Sequence, residues 1–289
     1  MDERALLERL AGTLPGAGDD AAVVDGLVLT TDMLHESTDF PGGTTRYTAG
    51  WRSVGASLSD VAAMGGEAVA AAAAYGAPQL EWRELESFVA GARDVCGAVD
   101  ASYVGGDLDS HGEFTVATTA LGRTDDPVHR SGAQPGDALC VTGKLGRSAA
   151  AFRLFETGET GRANELFRFE PRVGAGQALA SHASAMMDSS DGLARSLHQL
   201  AAASDCGFAV ETPLPVADAV TDVAADESDR REMSVFFGED FELVCTVART
   251  RVEAVRAATP VEVTRVGEVT EEGITLEGDP LPDRGYTHG

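Results

Sequence analysis

The sequence predicts a mixed α/β (α+β) chain built as two successive units. Extended and helical segments alternate along it, and one stretch, 122–136, rich in Gly, Asp, Pro and Ser, interrupts them as a domain boundary would. Size agrees, since 289 residues at 43% hydrophobic content suffice for one large domain or two ordinary ones.

The opening residues 2–11 read as a short helix. Residues 21–31 alternate weakly and read as a strand, turned at Asp25-Gly26, and 40–45 is a loop. A long helix over 44–64 carries small residues along one side and stops at Gly65-Gly66. The alanine run 68–75 is ambiguous by periodicity, and its length and flanking glycines favour a strand. A helix over 80–99 places Trp82, Leu85, Phe88 and Val89 on one face, and strands follow at 101–104 and 114–121. Beyond the break, strands are predicted at 138–142, 185–187, 208–211, 241–247, 261–266 and 274–276. Helices are predicted at 147–156, 173–184, 193–204 and 249–258.

A net charge of −25 argues against nucleic acid and against anionic membrane surfaces. No apolar run is long enough to span a bilayer, and no basic segment followed by a long apolar run marks a signal peptide. A cytoplasmic chain is expected, with Cys96, Cys140, Cys206 and Cys245 reduced, because their spacing fits no zinc site. Lys144 is the single lysine, the other 21 of the 22 cations being arginine. Such a carboxylate-rich, lysine-poor surface resembles that of halophilic proteins, whose charges work under near-complete screening. Acidic residues therefore count as functional candidates only where glycine or hydroxyl neighbours give them a defined setting.

Several do. They are Gly18-Asp19-Asp20, Thr30-Thr31-Asp32, Ser59-Asp60, Gly105-Gly106-Asp107, Asp188-Ser189-Ser190-Asp191-Gly192 and Gly238-Glu239-Asp240 with Glu242. Gathered carboxylates repel one another and need cations, and oxygen-only ligands suit Mg²⁺ bridging to phosphate. Neighbouring Asp19 and Asp20 point in different directions, so only one need face a site. Asp60 lies among apolar helix neighbours and requires a partner. Asp188 as the start of a calcium loop would put Gln199 where the bidentate Glu belongs, which disfavours that reading. Asp191 could cap a helix starting at Leu193, but capping leaves Asp188 unexplained. Arg130 is either a fork-like phosphate donor or a solvated linker residue. Asp39 and Tyr286 are either substrate contacts or surface residues. No P-loop, G-x-G-x-x-G or protein-kinase motif occurs, so metal held by carboxylates would carry any bound phosphates.

In order, these motifs resemble the thiamine-monophosphate kinase family. The matching segments include Leu58-Ser59-Asp60-Val61-Ala62-Ala63-Met64-Gly65, Arg130-Ser131-Gly132, Met187-Asp188-Ser189-Ser190-Asp191-Gly192, Phe237-Gly238-Glu239-Asp240-Phe241-Glu242-Leu243 and Gly285-Tyr286-Thr287-His288. The resemblance implies a two-domain fold shared with aminoimidazole ribonucleotide synthetase. Residues 1–125 would form the ATP- and Mg²⁺-binding half, pairing in a homodimer through a barrel-like sheet, and 126–289 the C-terminal α/β domain. It implies in-line transfer of the ATP γ-phosphoryl group to thiamine monophosphate with several Mg²⁺ ions, and no side chain acting as acid or base. Asp20, Asp32, Asp60, Asp107, Asp188 and Asp191 match the family's metal ligands, with Thr30 and Thr31 beside them. Gly106, Asp107, Arg130 and Ser190 match ATP positions. Glu239 or Glu242 matches a substrate-contacting acid, and Tyr286 fits the terminal motif. Asp39 stands at the offset where many members carry a substrate-site histidine. The rivals are other enzymes of that superfamily and a non-catalytic, divalent-ion-binding acidic protein.

Overall fold

The computed structural model describes residues 12–14 and 17–286, so the helix expected at 2–11 lies outside the described residues. The first half is β1 (Ala22–Val24), β2 (Leu27–His35), α1 (Glu36–Asp39), α2 (Arg46–Ala63), β3 (Glu67–Ala77), α3 (Trp82–Ala98), β4 (Ser102–Ser110) and β5 (Thr115–Arg123). Asp25 and Gly26 both adopt positive φ, the two-residue turn that suits a right-twisted hairpin, and they join β1 to β2. The strands order as β1-β2-β5-β3-β4. The alanine run is thus a central strand. Its small side chains leave room for α2, which packs against β2, β3 and β5 and alongside α3. Trp82 departs from the expected apolar face and is 70% exposed. Six positions before Phe88, it lies about a third of a turn round the helix from the buried stripe of Phe88, Ala92 and Val95.

The second half runs β6 (Ala138–Thr142), α4 (Arg147–Glu156), α5 (Thr160–Phe167), α6 (Val173–Ala180), β7 (Ala183–Asp188), α7 (Leu193–Ser204) and β8 (Gly207–Val210). Then come α8 (Asp218–Val223), α9 (Glu227–Arg231), β9 (Leu243–Val247), α10 (Val252–Ala258), β10 (Val263–Thr270), β11 (Ile274–Leu276) and β12 (Asp279–Pro280). The sheet order is β12-β11-β8-β10-β6-β9-β7. Helices α5, α8 and α9, with the π-helical turn Glu232–Phe236, carry no expectation from the sequence, and α6 ends four residues early.

Strands β6 and β9 are buried throughout because both faces are covered. Leu139, Val141 and Val244 pack with Leu197 and Leu200 of α7. Cys140, Cys245 and Val247 point the other way, into the core shared with the first half. The cysteines are unpaired, and Cys96, Cys140 and Cys245 are buried. Among the described residues no helix is long and apolar enough to cross a membrane.

Among the described residues, helices cover only one face of the first sheet. Val28, Thr30 and Leu34 of β2 are buried beneath α2, whereas Leu27, Leu29 and Met33 are exposed, alternating as a strand requires. Register places Leu29 beside Leu121 and Met33 beside Ala117 on that open face. Besides covering the first sheet, α2 contacts β7, α5 and α6 of the second half, and this double contact builds the site.

Candidate active site

Helix α2 starts at the N-cap Thr45, whose hydroxyl accepts from Thr48 N, and ends at Gly65. Four of its side chains make the links that build the site. Ser57 Oγ donates to Asp32 Oδ2 at 2.8 Å and lies 2.8 Å from Thr118 Oγ1. Ser59 Oγ donates to Asp188 Oδ2 at 2.7 Å. Asp60 Oδ2 accepts from Thr30 Oγ1 at 2.5 Å. Arg52, nearer the start of the helix, pairs with Glu239.

Asp20, Asp60 and Asp188 bring carboxylate oxygens within 4.8 Å of one another. They arrive from the loop before β1, from α2 and from the end of β7, so only the folded chain assembles them. Burial pushes Asp60 well above the usual carboxylate range, helped by the charges of Asp32, Asp188 and Asp20 and opposed by the Thr30 hydrogen bond. Burial likewise pushes Asp188 up to about 7, with Asp20 adding to it, while Ser59 and the Ser190 N–H act against the rise. Three buried carboxylates with an all-oxygen donor set fit a hard divalent cation.

Arg130 is no solvated linker residue. Its Nε and Nη2 grip Asp20 at 3.2 and 3.0 Å, and its backbone N–H donates to Asp19 Oδ1 at 3.0 Å. His129 Nδ1 lies 2.8 Å from the other Asp19 oxygen. The adjacent aspartates do diverge, Asp19 to the linker and Asp20 to the carboxylate group.

The remaining motif residues fall in different places. By register Thr31 pairs with Thr119, and Asp107 with Ala74, so both side chains belong to the open face of the first sheet and away from the three carboxylates. Gly106 is fixed by packing, since a Cβ there would sit 1.6 Å from the Ala73 carbonyl oxygen. Asp191 lies in the loop after β7 and does not take the cap of α7, whose N-cap position falls on Gly192. Its carbonyl accepts from Tyr286 N at 3.0 Å, and Ser190 N donates to Asp188 Oδ1 at 3.3 Å.

The two glutamates separate clearly. Both oxygens of Glu242 are held by Arg172, at 2.6 and 2.7 Å, and Thr142 Oγ1 adds a 2.7 Å hydrogen bond. Glu239 lies instead near Tyr286 and Asp39. The charges of both acids raise the Tyr286 hydroxyl, after burial as the main cause. Tyr286 OH donates to Thr38 O at 3.2 Å, and Asp39, buried, accepts from His35 N at 2.7 Å and Thr38 Oγ1 at 2.8 Å. Sequence reading passed over Ser57, Arg52 and Arg172, and it used Ser59 only as part of a motif. The signal for the serines was their place within three residues of Asp60, among the apolar Val54, Ala56, Leu58 and Val61.

The two-sheet fold and its carboxylate site define an AIR synthase related protein. Residues 18–124 match the family described as "AIR synthase related protein, N-terminal domain", and 134–279 the corresponding "C-terminal domain". The chain is 64% identical to the thiamine-monophosphate kinase of Halobacterium salinarum over the full length of both, and 39% identical to that of Methanospirillum hungatei, covering 100% and 99% of the two chains. The solved structure "AaThiL complexed with AMPPCP and TMP" superposes with a TM-score of 0.91 at 27% identity, covering 100% of this chain and 97% of that one. The chain belongs to the thiamine-monophosphate kinase family.

Proposed function

We propose that this protein transfers the γ-phosphoryl group of ATP to thiamine monophosphate, giving thiamine diphosphate, with Mg²⁺ held by its carboxylates. The observation that carries the reading is the convergence of Asp20, Asp60 and Asp188 in a chain of this family. The acceptor oxygen is a phosphate oxygen, already anionic, so no side chain need act as base. Phosphoryl transfer through a loose transition state depends on positioning and on offsetting charge. Bound Mg²⁺ would supply that offset. Asp20, Asp60 and Asp188, with Asp32 and Thr30 beside them, would hold it, and Asp191 would serve a further ion arriving with the nucleotide, whereas Thr31 and Asp107, on the opposite face of the first sheet, would stand outside this group. Arg130 is a fork-shaped donor at the edge of the carboxylate group, suited to a phosphate along with Gly106 and Ser190.

Thiamine monophosphate carries a cationic thiazolium ring. Glu239, Asp39 and Tyr286 lie near one another and offer it carboxylates and an aromatic face. Glu242 is given to the fold through Arg172. The division at 1–125 and 126–289 assigns the open sheet face to the first half. That face, with Leu29 48% and Met33 60% exposed, supports a homodimer. The charge of −25 supports a salt-adapted cytoplasmic enzyme. Incubation with ATP, Mg²⁺ and thiamine monophosphate, followed by chromatography, should yield thiamine diphosphate and ADP in equal amounts. ATP hydrolysis without thiamine diphosphate would overturn the reading.

A further inference from the structure

We propose that Arg52 is a positioning residue for thiamine monophosphate, acting through Glu239; the proposal rests on the reading of Glu239 as a substrate contact. Arg52 sits mid-way along α2 and is wholly buried. Its Nη2 donates to Glu239 Oε2 at 2.5 Å and to the Glu239 carbonyl at 3.0 Å. Its Nη1 donates to Phe167 O at 2.8 Å and meets Ser148 Oγ at 3.3 Å, and the guanidinium lies over the Phe167 ring, 3.7 Å from its centroid. Ser148 Oγ also donates to the Glu239 carbonyl, at 2.5 Å.

What these bonds hold is a loop that would not keep its shape unaided. Glu239 has φ 63, a left-handed conformation that is costly for a residue with a Cβ. Gly238 before it has φ 82, and a Cβ there would lie 2.5 Å from Ser190 O. Glu239 N donates to that same Ser190 O at 2.6 Å, which ties the loop to the Asp188–Asp191 turn. Arg52 therefore fixes both the backbone and one carboxylate oxygen of Glu239. Among the described residues the other oxygen, Oε1, accepts no hydrogen bond. A buried charge pair is a poor source of stability compared with apolar packing, so its value here is orientation. A planar fork that binds one residue at two atoms suits that task, and lysine cannot reproduce it.

The test is steady-state kinetics with ATP, Mg²⁺ and thiamine monophosphate on Arg52→Lys, Glu239→Gln and the double variant of the full chain. Arg52→Lys should raise KM for thiamine monophosphate about tenfold, the order expected for one charge-assisted hydrogen bond. KM for ATP should stay within about twofold. In the Glu239→Gln background the same change should add little, because its effect passes through that carboxylate. Equal shifts in both KM values, no shift, or additive effects in the double variant would overturn the proposal. If circular dichroism shows Arg52→Lys unfolded, Ser148→Ala, which removes the other anchor of the Glu239 carbonyl, should give the same selective rise; unchanged KM there would overturn it equally. An unchanged KM in Glu239→Gln alone would instead remove Glu239 from the substrate site and take the proposal with it.

Discussion

Ser59 Oγ donates a 2.7 Å hydrogen bond to Asp188 Oδ2, joining α2 of the first half to the end of β7 in the second across 129 positions of sequence. The same helix turn presents Asp60, so one element both supplies a carboxylate and orients another. This link ties the two halves of the chain together at the site.

Asp188→Asn and Asp191→Asn should each lower kcat by more than about 100-fold with the fold intact, since even indirect partners of a metal centre are worth up to about that much. Asp188→Asn should also raise the melting temperature of the metal-free protein above pH 7, where it removes an ionised carboxylate from beside Asp20 and Asp60. Calorimetry in chelator and turnover at saturating Mg²⁺ check both, and full activity in either variant would take that residue out of the mechanism.

The raised acids set a pH dependence. Asp188 moves from 3.8 to about 7 on folding, so between those values the folded metal-free chain holds a proton that the unfolded chain has released. Its contribution to stability is therefore greatest at low pH and lost as pH rises through 7. Asp60 acts in the same sense. Melting temperatures from pH 5 to 8 in chelator should fall more steeply for the wild type than for Asp188→Asn. Mg²⁺ should flatten the difference, since binding releases those protons. Parallel slopes would contradict the assignment.

Met33→Glu puts a charge on the open sheet face, where Ala117 of β5 is its register partner. The variant should be monomeric by light scattering under conditions where the wild type is dimeric, with its far-ultraviolet dichroism unchanged. A wild type that is itself monomeric would contradict the pairing of first halves.

Withdrawing salt should destabilise the protein. The Debye length grows from about 3 Å at 1 M to about 30 Å at 0.01 M, so repulsion within a chain of charge −25 reaches much farther. Thermal melts across that range, without Mg²⁺, should show a steady decline, and constant melting would argue against a salt-adapted surface.

The acidic residues of the substrate side should divide. Asp39→Ala should raise KM for thiamine monophosphate far more than KM for ATP. Glu242→Gln should leave both near the wild type but cost about 3 kcal/mol of stability, because Arg172 keeps a buried charge with a weakened partner. A selective KM effect at Glu242 would reverse the assignment of the two glutamates.

Much of the fold was legible where periodicity is strong and the neighbours are local. Strand 138–142 and the helices at 147–156 and 193–204 lie where pattern and turn signals put them. Helix α5 was not legible, because what holds it is distant. Asn164 accepts from Thr45 N at 2.9 Å and donates to Gly43 O at 2.9 Å, contacts that no local pattern announces. Trp82 failed for a related reason, since the orientation of α3 against the sheet decides which side of the helix is buried.

The sequence by itself determined the chemistry available: the aspartates, their glycine and hydroxyl neighbours, and a composition that favours metal-bridged anions over nucleic acid. Only the tertiary structure decided which of them act together. Asp20, Asp60 and Asp188 meet because α2 lies against both sheets, and Asp107 does not because strand register turns it to the other face. Glu239 and Glu242 differ by three positions, yet one is oriented by Arg52 near Tyr286 and the other is taken by Arg172. Motif spacing is local along the chain. Charge pairing and burial depend on distance in space, and packing sets that distance.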